Sequence, residues 1–275
     1  MTVTVDIGNT NIVMGFWEND APKVFRFETS VSGTYNEYYA AIKPALLEVF
    51  PQLRNGVPDL LSEQKISGVK WGISSVVPSL TGIIEQILRC FFSRESVVLN
   101  KELFMRPDFP VKVPDSAVDE IGADIICDAF GALETGGRSV IVDFGTALTI
   151  TAVDFDGTIK GVSIAPGIKT AVKSLFDNTA QLPPDIPLVY PESVLGTDTF
   201  SAIQSGVLFG YGGLIKEIVS EMKNELDRGS SRPCFVVATG GLSSLVAPHV
   251  KIFDSIDGNL TLRGLKNIVT KYGQP

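Results

Sequence analysis

The stretch VTVDIGNTNIVMGF, residues 3–16, decides how the rest of the chain is interpreted. Its opening apolar residues and those from Ile12 onwards predict two strands. Between them, residues 6–11 predict a tight turn that is rich in backbone N–H groups and side-chain oxygens. A turn of this kind at a strand end can hold an anion, a metal ion or both. The alternative is an ordinary hairpin, in which Asn and Gly serve only to turn the chain.

The same pattern occurs a second time. Residues 139–150, SVIVDFGTALTI, match residues 2–13, with an apolar run, an aspartate, an apolar residue, a glycine and small residues before apolar sequence resumes. The two aspartates, Asp6 and Asp143, lie about half of the 275 residues apart. A repeat in register at this spacing predicts duplicated halves that face each other across a cleft. It favours a ligand site over a plain hairpin.

The remaining pattern predicts an α/β fold. Strands alternate with helical periods, and a hairpin is expected at Asp156–Gly157, so each half is expected to form a mixed sheet flanked by helices. We place the domain boundary between residues 117 and 118, giving domains of 1–117 and 118–275. Helices are predicted over residues 36–50, 119–133, 169–179 and 198–226, and Pro-containing loops over 56–64 and 182–192.

Composition limits the function classes. The chain has 31 acidic and 23 basic residues and no Lys/Arg-rich run, which argues against nucleic acid as a partner. Three widely spaced cysteines predict reduced, buried thiols and a cytoplasmic protein. Neither a signal peptide nor an apolar segment of about 20 residues is expected, so no membrane partner is predicted. The single histidine, His249, is interpreted as a surface residue, and Trp17 and Trp71 as core residues.

Paired Asp-Gly turns suit the handling of ATP, because phosphoryl transfer needs Mg²⁺, donors around the phosphates and a carboxylate that accepts the proton of the attacked hydroxyl. We assign Asp6 to Mg²⁺ through water, since Mg²⁺ retains several waters in proteins. The turn residues Gly8, Asn9, Thr10 and Asn11 are expected around the phosphates, with Asp143 and Thr146 acting from the other half. The sequence ATGG, residues 238–241, places glycines where a backbone must approach a ligand, or where a helix begins.

Nine short motifs follow one another along the whole chain: DIGNTNIVMG, SSVVPSLT, EIGAD, VDFGTA, APGI, TAQLP, LGTDTFSAIQSGVLFGYGGLI, ATGGL and LTLRGL. With these motifs the chain resembles the type III pantothenate kinases of the actin/hexokinase/Hsp70-like ATPase superfamily. The resemblance implies two duplicated actin-like (ribonuclease H-like) domains. It implies phosphorylation of pantothenate by ATP to 4′-phosphopantothenate, the first step of coenzyme A synthesis, in a homodimer.

The resemblance also implies roles for individual residues. ATP would contact Asp6, Ile7, Gly8, Asn9, Thr10, Asn11, Ile12, Val13 and Thr146. A monovalent cation, K⁺ or NH₄⁺, would bind at Asp143. Pantothenate would contact Gly122, Ala123, Asp124, Ile125 and Thr199, with Asp124 as the catalytic base.

Asp124 also suits a base on physical grounds. It stands in an otherwise apolar helical segment, where partial desolvation would raise the pKa of its carboxyl group toward proton acceptance. The alternative is that Asp124 is simply an acidic residue in a first helical turn, favoured there by the helix dipole.

The acceptor side departs from the family pattern. The family motif GADR is GADI here, with Ile125 in place of arginine, and the family's upstream tyrosine and proline correspond to Asp115 and Val118. An arginine fork is a natural partner of a carboxylate, and isoleucine cannot replace it. Two further hypotheses therefore stand beside pantothenate kinase: a non-catalytic nucleotide-binding regulator, and a kinase for a different small hydroxyl acceptor.

Overall fold

The computed structural model describes residues 1–55, 65–93, 96–177, 186–227 and 234–273. The predicted loop 56–64, the TAQLP motif and the first part of the predicted loop 182–192 lie outside the described residues. Backbone contacts divide the chain into two compact units. Unit 1 contains Met1–Phe109, Asp115–Gly131 and Thr261–Pro275, and unit 2 contains Pro110–Pro114 and Ala132–Leu260. The boundary between residues 117 and 118 stays a prediction about the duplicated halves.

The strands and helices are as follows. The strands are β1 (Thr2–Ile7), β2 (Asn11–Trp17), β3 (Lys23–Glu28), β4 (Lys70–Ser75), β5 (Val97–Val98), β6 (Arg138–Phe144), β7 (Ala147–Val153), β8 (Ile159–Pro166), β9 (Cys234–Thr239) and β10 (Ser255–Ile256). The helices are α1 (Tyr35–Val49), α2 (Pro78–Phe91), α3 (Lys101–Phe104), α4 (Ala123–Ala132), α5 (Ile168–Asp177), α6 (Thr199–Asp227), α7 (Ser243–Val250) and α8 (Leu260–Tyr272).

The two sheets have the same topology. One has the order β3-β2-β1-β4-β5 and the other β8-β7-β6-β9-β10. In each, the first strand pairs antiparallel with the second and parallel with the fourth. Asp6 is paired with Ser74 of β4, and Asp143 is paired with Thr239 of β9. The duplication and the α/β class predicted from the sequence are therefore confirmed.

Local sequence accounts for several element ends. Helix α1 begins with a capping box, in which the Thr34 side chain accepts from the Glu37 N–H while the Glu37 carboxylate accepts from the Thr34 N–H. Pro78 opens α2, where a missing N–H costs nothing. Helix α4 is shorter than the predicted span 119–133, because Gly122 precedes it in a non-helical turn. Of the predicted helix 169–179, residues 169–177 are helical and the last two lie outside the described residues; of the predicted helix 198–226, residues 199–226 are helical.

The core assignments are confirmed. Trp17 and Trp71 are 2% and 1% exposed, and Trp71 packs against Phe92 with ring centroids 6.0 Å apart. Cys90, Cys127 and Cys234 are free and buried. Within the described ranges, no helix combines the length and the apolar character needed to cross a membrane.

Candidate active site

The turn between β1 and β2 is held from two sides. The Gly8 N–H donates to the Asn11 carbonyl at 3.0 Å, which closes the turn. Thr29, just after β3, donates its hydroxyl to the Gly8 carbonyl at 2.7 Å and its N–H to the Thr10 carbonyl at 3.0 Å. Sequence reasoning missed Thr29, since nothing local links it to the turn.

The residues predicted around the phosphates divide into two groups. The side chains of Asn9, Thr10 and Asn11 are exposed at the turn. Ile7 and Ile12 are 0% exposed and belong to the core, so only their backbone groups are available to a ligand. The Ile7 carbonyl already accepts from the Val76 N–H at 3.0 Å. Asp6, Gly8 and Val13 are partly buried.

Asp124 lies in the first turn of α4. Burial raises the pKa of its carboxyl group above the ordinary value, while the Ile125 N–H, which donates to Oδ1 at 2.8 Å, acts in the opposite direction. Glycine two residues before Asp124 leaves room for this carboxylate, because a Cβ on Gly122 would overlap Oδ1. The segment Gly122–Asp124 thus holds a carboxylate that is easier to protonate than an exposed one.

Asp6 and Asp124 approach a common neighbour. Cys127 is fully buried, and burial is the main reason that the pKa of its thiol is raised; the carboxylates of Asp6, Asp128 and Asp124 raise it further. The predicted phosphate-side aspartate and the predicted base are therefore brought to one region of unit 1. A thiol with a raised pKa stays protonated, so Cys127 is not a nucleophile here.

The acceptor-side departures occupy different environments. Ile125 and Val118 are each 8% exposed and contribute to the core, whereas Asp115 is exposed. Ala123 and Gly122 are partly buried at the start of α4. The Ile125 side chain therefore packs in the core and does not face solvent.

In unit 2, Asp143 is enclosed by the loop that follows β9. Gly240 has φ +86°, and a Cβ there would overlap Asp143 Oδ1 and lie 2.7 Å from the Phe144 nitrogen. The Ser243 hydroxyl donates to the Gly240 carbonyl at 2.7 Å and fixes this loop. Thr239, the residue paired with Asp143, is 0% exposed, and its hydroxyl has no hydrogen-bond partner in the described part of the chain. Gly240 of the ATGG motif thus allows this loop to lie close to the aspartate.

Thr146 is exposed at the turn between β6 and β7, and the APGI motif supports it. Its carbonyl accepts from the Thr170 hydroxyl at 2.7 Å and from the Gly167 N–H at 3.1 Å. A Cβ on Gly167 would overlap this carbonyl. From α6, the Tyr211 hydroxyl donates to the Pro166 carbonyl at 2.6 Å. The APGI motif therefore supports the backbone of Thr146, a role that the sequence alone did not indicate.

Thr199 is the first residue of α6 and is exposed. The neighbouring Asp198 accepts from the Ser201 N–H at 3.0 Å, and this bond lowers the pKa of Asp198. His249 is exposed on α7 and stacks on the ring of Tyr190, with centroids 3.8 Å apart. This contact explains His249 as a packing residue at the surface.

The chain is similar to known proteins over nearly its whole length. A family model described as type III pantothenate kinase matches residues 2–221. A type III pantothenate kinase from Geobacillus sp. (strain WCH70) is 36% identical over 273 residues, 98% of each chain. Another from Treponema pallidum (strain Nichols) is 38% identical over 270 residues, 96% of this chain and 92% of that one.

Two solved structures share the fold. A protein from Campylobacter jejuni, described as a conserved Baf family transcriptional activator, has a TM-score of 0.54 at 19% identity, with 98% of each chain covered. A protein from Sinorhizobium meliloti, described as a 2-dehydro-3-deoxygalactonokinase, has a TM-score of 0.53 at 12% identity, with 99% of this chain and 97% of that one covered. At these identities the likeness concerns the fold alone. The family match and the two relatives show that the chain belongs to the type III pantothenate kinase family.

Proposed function

We propose that the protein transfers the γ-phosphoryl group of ATP to the hydroxyl of pantothenate, giving 4′-phosphopantothenate and ADP, the first step of coenzyme A synthesis. The observation that carries this proposal is the carboxylate of Asp124. Its pKa is raised by burial, and its charge and that of Asp6 both raise the pKa of the buried Cys127 thiol, in a chain of this family. A carboxyl group of raised pKa is a better proton acceptor than an ordinary aspartate.

The turn at residues 8–11 is assigned to the phosphates of ATP. The exposed polar side chains of Asn9, Thr10 and Asn11 supply donors, and the bracing by Thr29 keeps the turn preorganised. Thr146, supported by Gly167 and Thr170, is the ATP contact of the other half. Ile7, Ile12 and Val13 contribute backbone groups and the packing beneath the turn.

Asp6 is assigned to Mg²⁺ through water. The described residues contain no cluster of three or more His, Cys, Asp or Glu side chains that would form a cage for a metal ion. A single carboxylate fits Mg²⁺, which takes most of its oxygen ligands from phosphates and water. A Mg²⁺ ion held there would supply positive charge that offsets the negative charge of the phosphates.

Asp143 is assigned to a monovalent cation, K⁺ or NH₄⁺. This carboxylate and the buried hydroxyl of Thr239, which has no hydrogen-bond partner among the described residues, occupy paired positions of β6 and β9. Oxygen donors of this kind suit a hard cation such as K⁺. Gly240, which lacks a side chain beside the carboxylate, keeps the position accessible.

Asp124 is assigned as the base that accepts the proton of the attacking hydroxyl. Gly122, Ala123, Ile125 and Thr199 are assigned to the acceptor side. Coupled assays of ADP release test the reaction in saturating ATP, Mg²⁺ and K⁺ with pantothenate. The Asp124→Asn variant should lose about 10²–10⁴-fold in kcat, with little change in ATP binding by calorimetry. Absence of turnover in the wild-type protein refutes the function, and an active Asp124→Asn variant refutes the assignment of the base.

A second candidate, a kinase whose acceptor lacks a carboxylate, is favoured by one observation. Ile125 is a buried apolar residue where the family pattern has arginine, so this position supplies no partner for a carboxylate. A panel of small hydroxyl compounds, assayed beside pantothenate, separates the two candidates. ATP binding without phosphorylation of any of them supports a non-catalytic nucleotide-binding regulator instead.

The protein is proposed to be a cytoplasmic homodimer. Unit 2 exposes large apolar side chains, including Ile164 at 69%, Leu195 at 79% and Phe200 at 47%. On α6, Gly206, Gly210 and Gly213 have open space where a Cβ would be, which leaves room for close approach of a second copy. Light scattering coupled to size exclusion should give about twice the monomer mass of 29.6 kDa. A monomeric mass at assay concentration contradicts the dimer.

A further inference from the structure

Helix α8, formed by the last described part of the chain, packs directly on helix α4. At Gly264 the two backbones meet, because a Cβ there would lie 2.7 Å from the Cys127 carbonyl carbon and 3.1 Å from the Gly131 nitrogen. Real Cβ atoms essentially never approach other atoms closer than 3.0 Å. Only glycine therefore allows this helix–helix contact. The LTLRGL motif, residues 260–265, places that glycine in the second turn of α8.

A buried hydrogen bond lies next to this contact between α8 and α4. The Thr261 hydroxyl donates to Asp128 Oδ1 at 2.7 Å, and Asp128 is 2% exposed. A carboxylate removed from water to this degree requires such donors, because an unsatisfied buried charge is costly. Asp128 is four residues after Asp124, so both side chains project from the same face of α4. The bond therefore acts on the helix one turn beyond the assigned base.

Helix α8 is also seated on the sheet that carries the phosphate turn. A Cβ on Gly72 of β4 would overlap Val269 of α8, and one on Gly15 of β2 would lie 3.2 Å from Leu262. Strand β1, which carries Asp6, lies between these two strands. Helix α8 is therefore in contact with both the sheet that holds Asp6 and the helix that holds Asp124.

We propose that Thr261 is a positioning residue. Its bond to the buried Asp128 fixes helix α4 against the sheet of unit 1. This contact determines where the Asp124 carboxylate lies relative to Asp6. Thr261 touches neither reacting group. Its catalytic consequence rests on the proposed function. The physical reason is that a misplacement of about 1 Å in a reacting group can cost about 100-fold in rate.

The test compares Thr261→Val, which keeps the shape and removes the hydroxyl, with Thr261→Ser, which keeps the hydroxyl. Thr270→Val is the matched control, because Thr270 also lies on α8 but donates to the Lys266 carbonyl of its own helix at 2.8 Å. We expect Thr261→Val to lower kcat by about tenfold or more, with the KM for ATP within about twofold of wild type. Thr261→Ser and Thr270→Val should retain wild-type kcat.

A second measurement does not depend on turnover. With ¹³C-labelled aspartate, NMR titration follows the Asp124 carboxyl carbon, assigned by its absence in Asp124→Asn, while Asp6 and Asp128 remain in every compared variant. If α4 loosens in Thr261→Val, water reaches Asp124 and its titration midpoint should move down toward the ordinary value of about 3.9. Thr261→Ser and Thr270→Val should titrate like wild type.

The outcomes separate the two proposals. A Thr261→Val variant with wild-type kcat and wild-type Asp124 titration refutes the positioning role, and so does a Thr261→Ser variant that behaves like Thr261→Val. A lower melting temperature with both readouts unchanged shows a purely structural bond and also refutes it. If the wild-type protein phosphorylates no acceptor, the proposed function fails, and the titration alone decides whether Thr261 positions Asp124.

Discussion

The substitution Gly122→Ala tests most directly whether the Asp124 carboxylate is the catalytic group. A Cβ on Gly122 would lie 2.2 Å from Asp124 Oδ1, whereas ordinary contact begins at 3.4 Å, so the carboxylate must move by about 1.2 Å. The obstructing atom is the end of a side chain, which can rotate away. We therefore expect a small effect on the free energy of unfolding and a large effect on turnover.

The size of the effect follows from that displacement. A reacting group misplaced by about 1 Å can lose about 100-fold in rate, which corresponds to about 2.7 kcal/mol in the activation barrier. The displacement also breaks the bond from the Ile125 N–H to Oδ1, now 2.8 Å long. We expect kcat to fall by about 100-fold, measured by ADP release, while the KM for ATP stays near the wild-type value.

Gly82→Ala is the matched control. Gly82 lies inside α2, and a Cβ there meets no atom within 4 Å. Alanine in place of glycine favours a helix by about 1 kcal/mol, so this variant should be fully active and slightly more resistant to urea. A folded Gly122→Ala protein with kcat within about threefold of wild type would refute the reasoning, since the predicted loss is about 100-fold.

Three further predictions concern Thr170, Gly240 and the pH dependence of the rate. Thr170→Val removes the hydroxyl that donates to the Thr146 carbonyl at 2.7 Å, a bond worth about 1 kcal/mol, and steady-state kinetics should show a KM for ATP raised about fivefold. Gly240→Ala places a side chain at φ +86° and 2.7 Å from the Phe144 nitrogen, so urea unfolding should show a loss of about 1–3 kcal/mol. The rate should fall as pH is lowered through the raised pKa of Asp124, because the protonated acid cannot accept a proton, and the acid limb of the kcat/KM profile should lie above the ordinary aspartate value of about 3.9.

The sheets and the duplication could be predicted from the sequence because they depend on local patterns. Near Asp6 and again near Asp143, apolar strand segments are joined by turns of small residues. Because the same sequence pattern occurs twice, the same strand topology is expected twice. The structure has that topology in both sheets. The predicted helix over residues 119–133 is longer than α4, because residues 119–122 before it are not helical.

The supports of the site could not be predicted, because they join residues that are distant along the chain. Thr29 braces a turn centred some twenty positions earlier, and Thr261 bonds Asp128, 133 positions away in the chain. A threonine carries no local signal of such a partner. The glycines were easier to identify as important, since Gly167, Gly240 and Gly264 lie in recognisable motifs. The sequence could not show which neighbouring atom lies close to each of them.

The turn proposed to hold the phosphates and the position proposed to face the acceptor are physically separable. The turn at residues 8–11 depends on Thr29 and on the strand edge, and none of these contacts involves Ile125. Ile125, at 8% exposure, stabilises α4 by burial, whereas an arginine at this position would need partners for its guanidinium group. Replacing the family arginine by isoleucine therefore changes the charge available to an acceptor without disturbing the ATP machinery. The carboxylate of the acceptor is therefore the group on which wild-type assays should be focused.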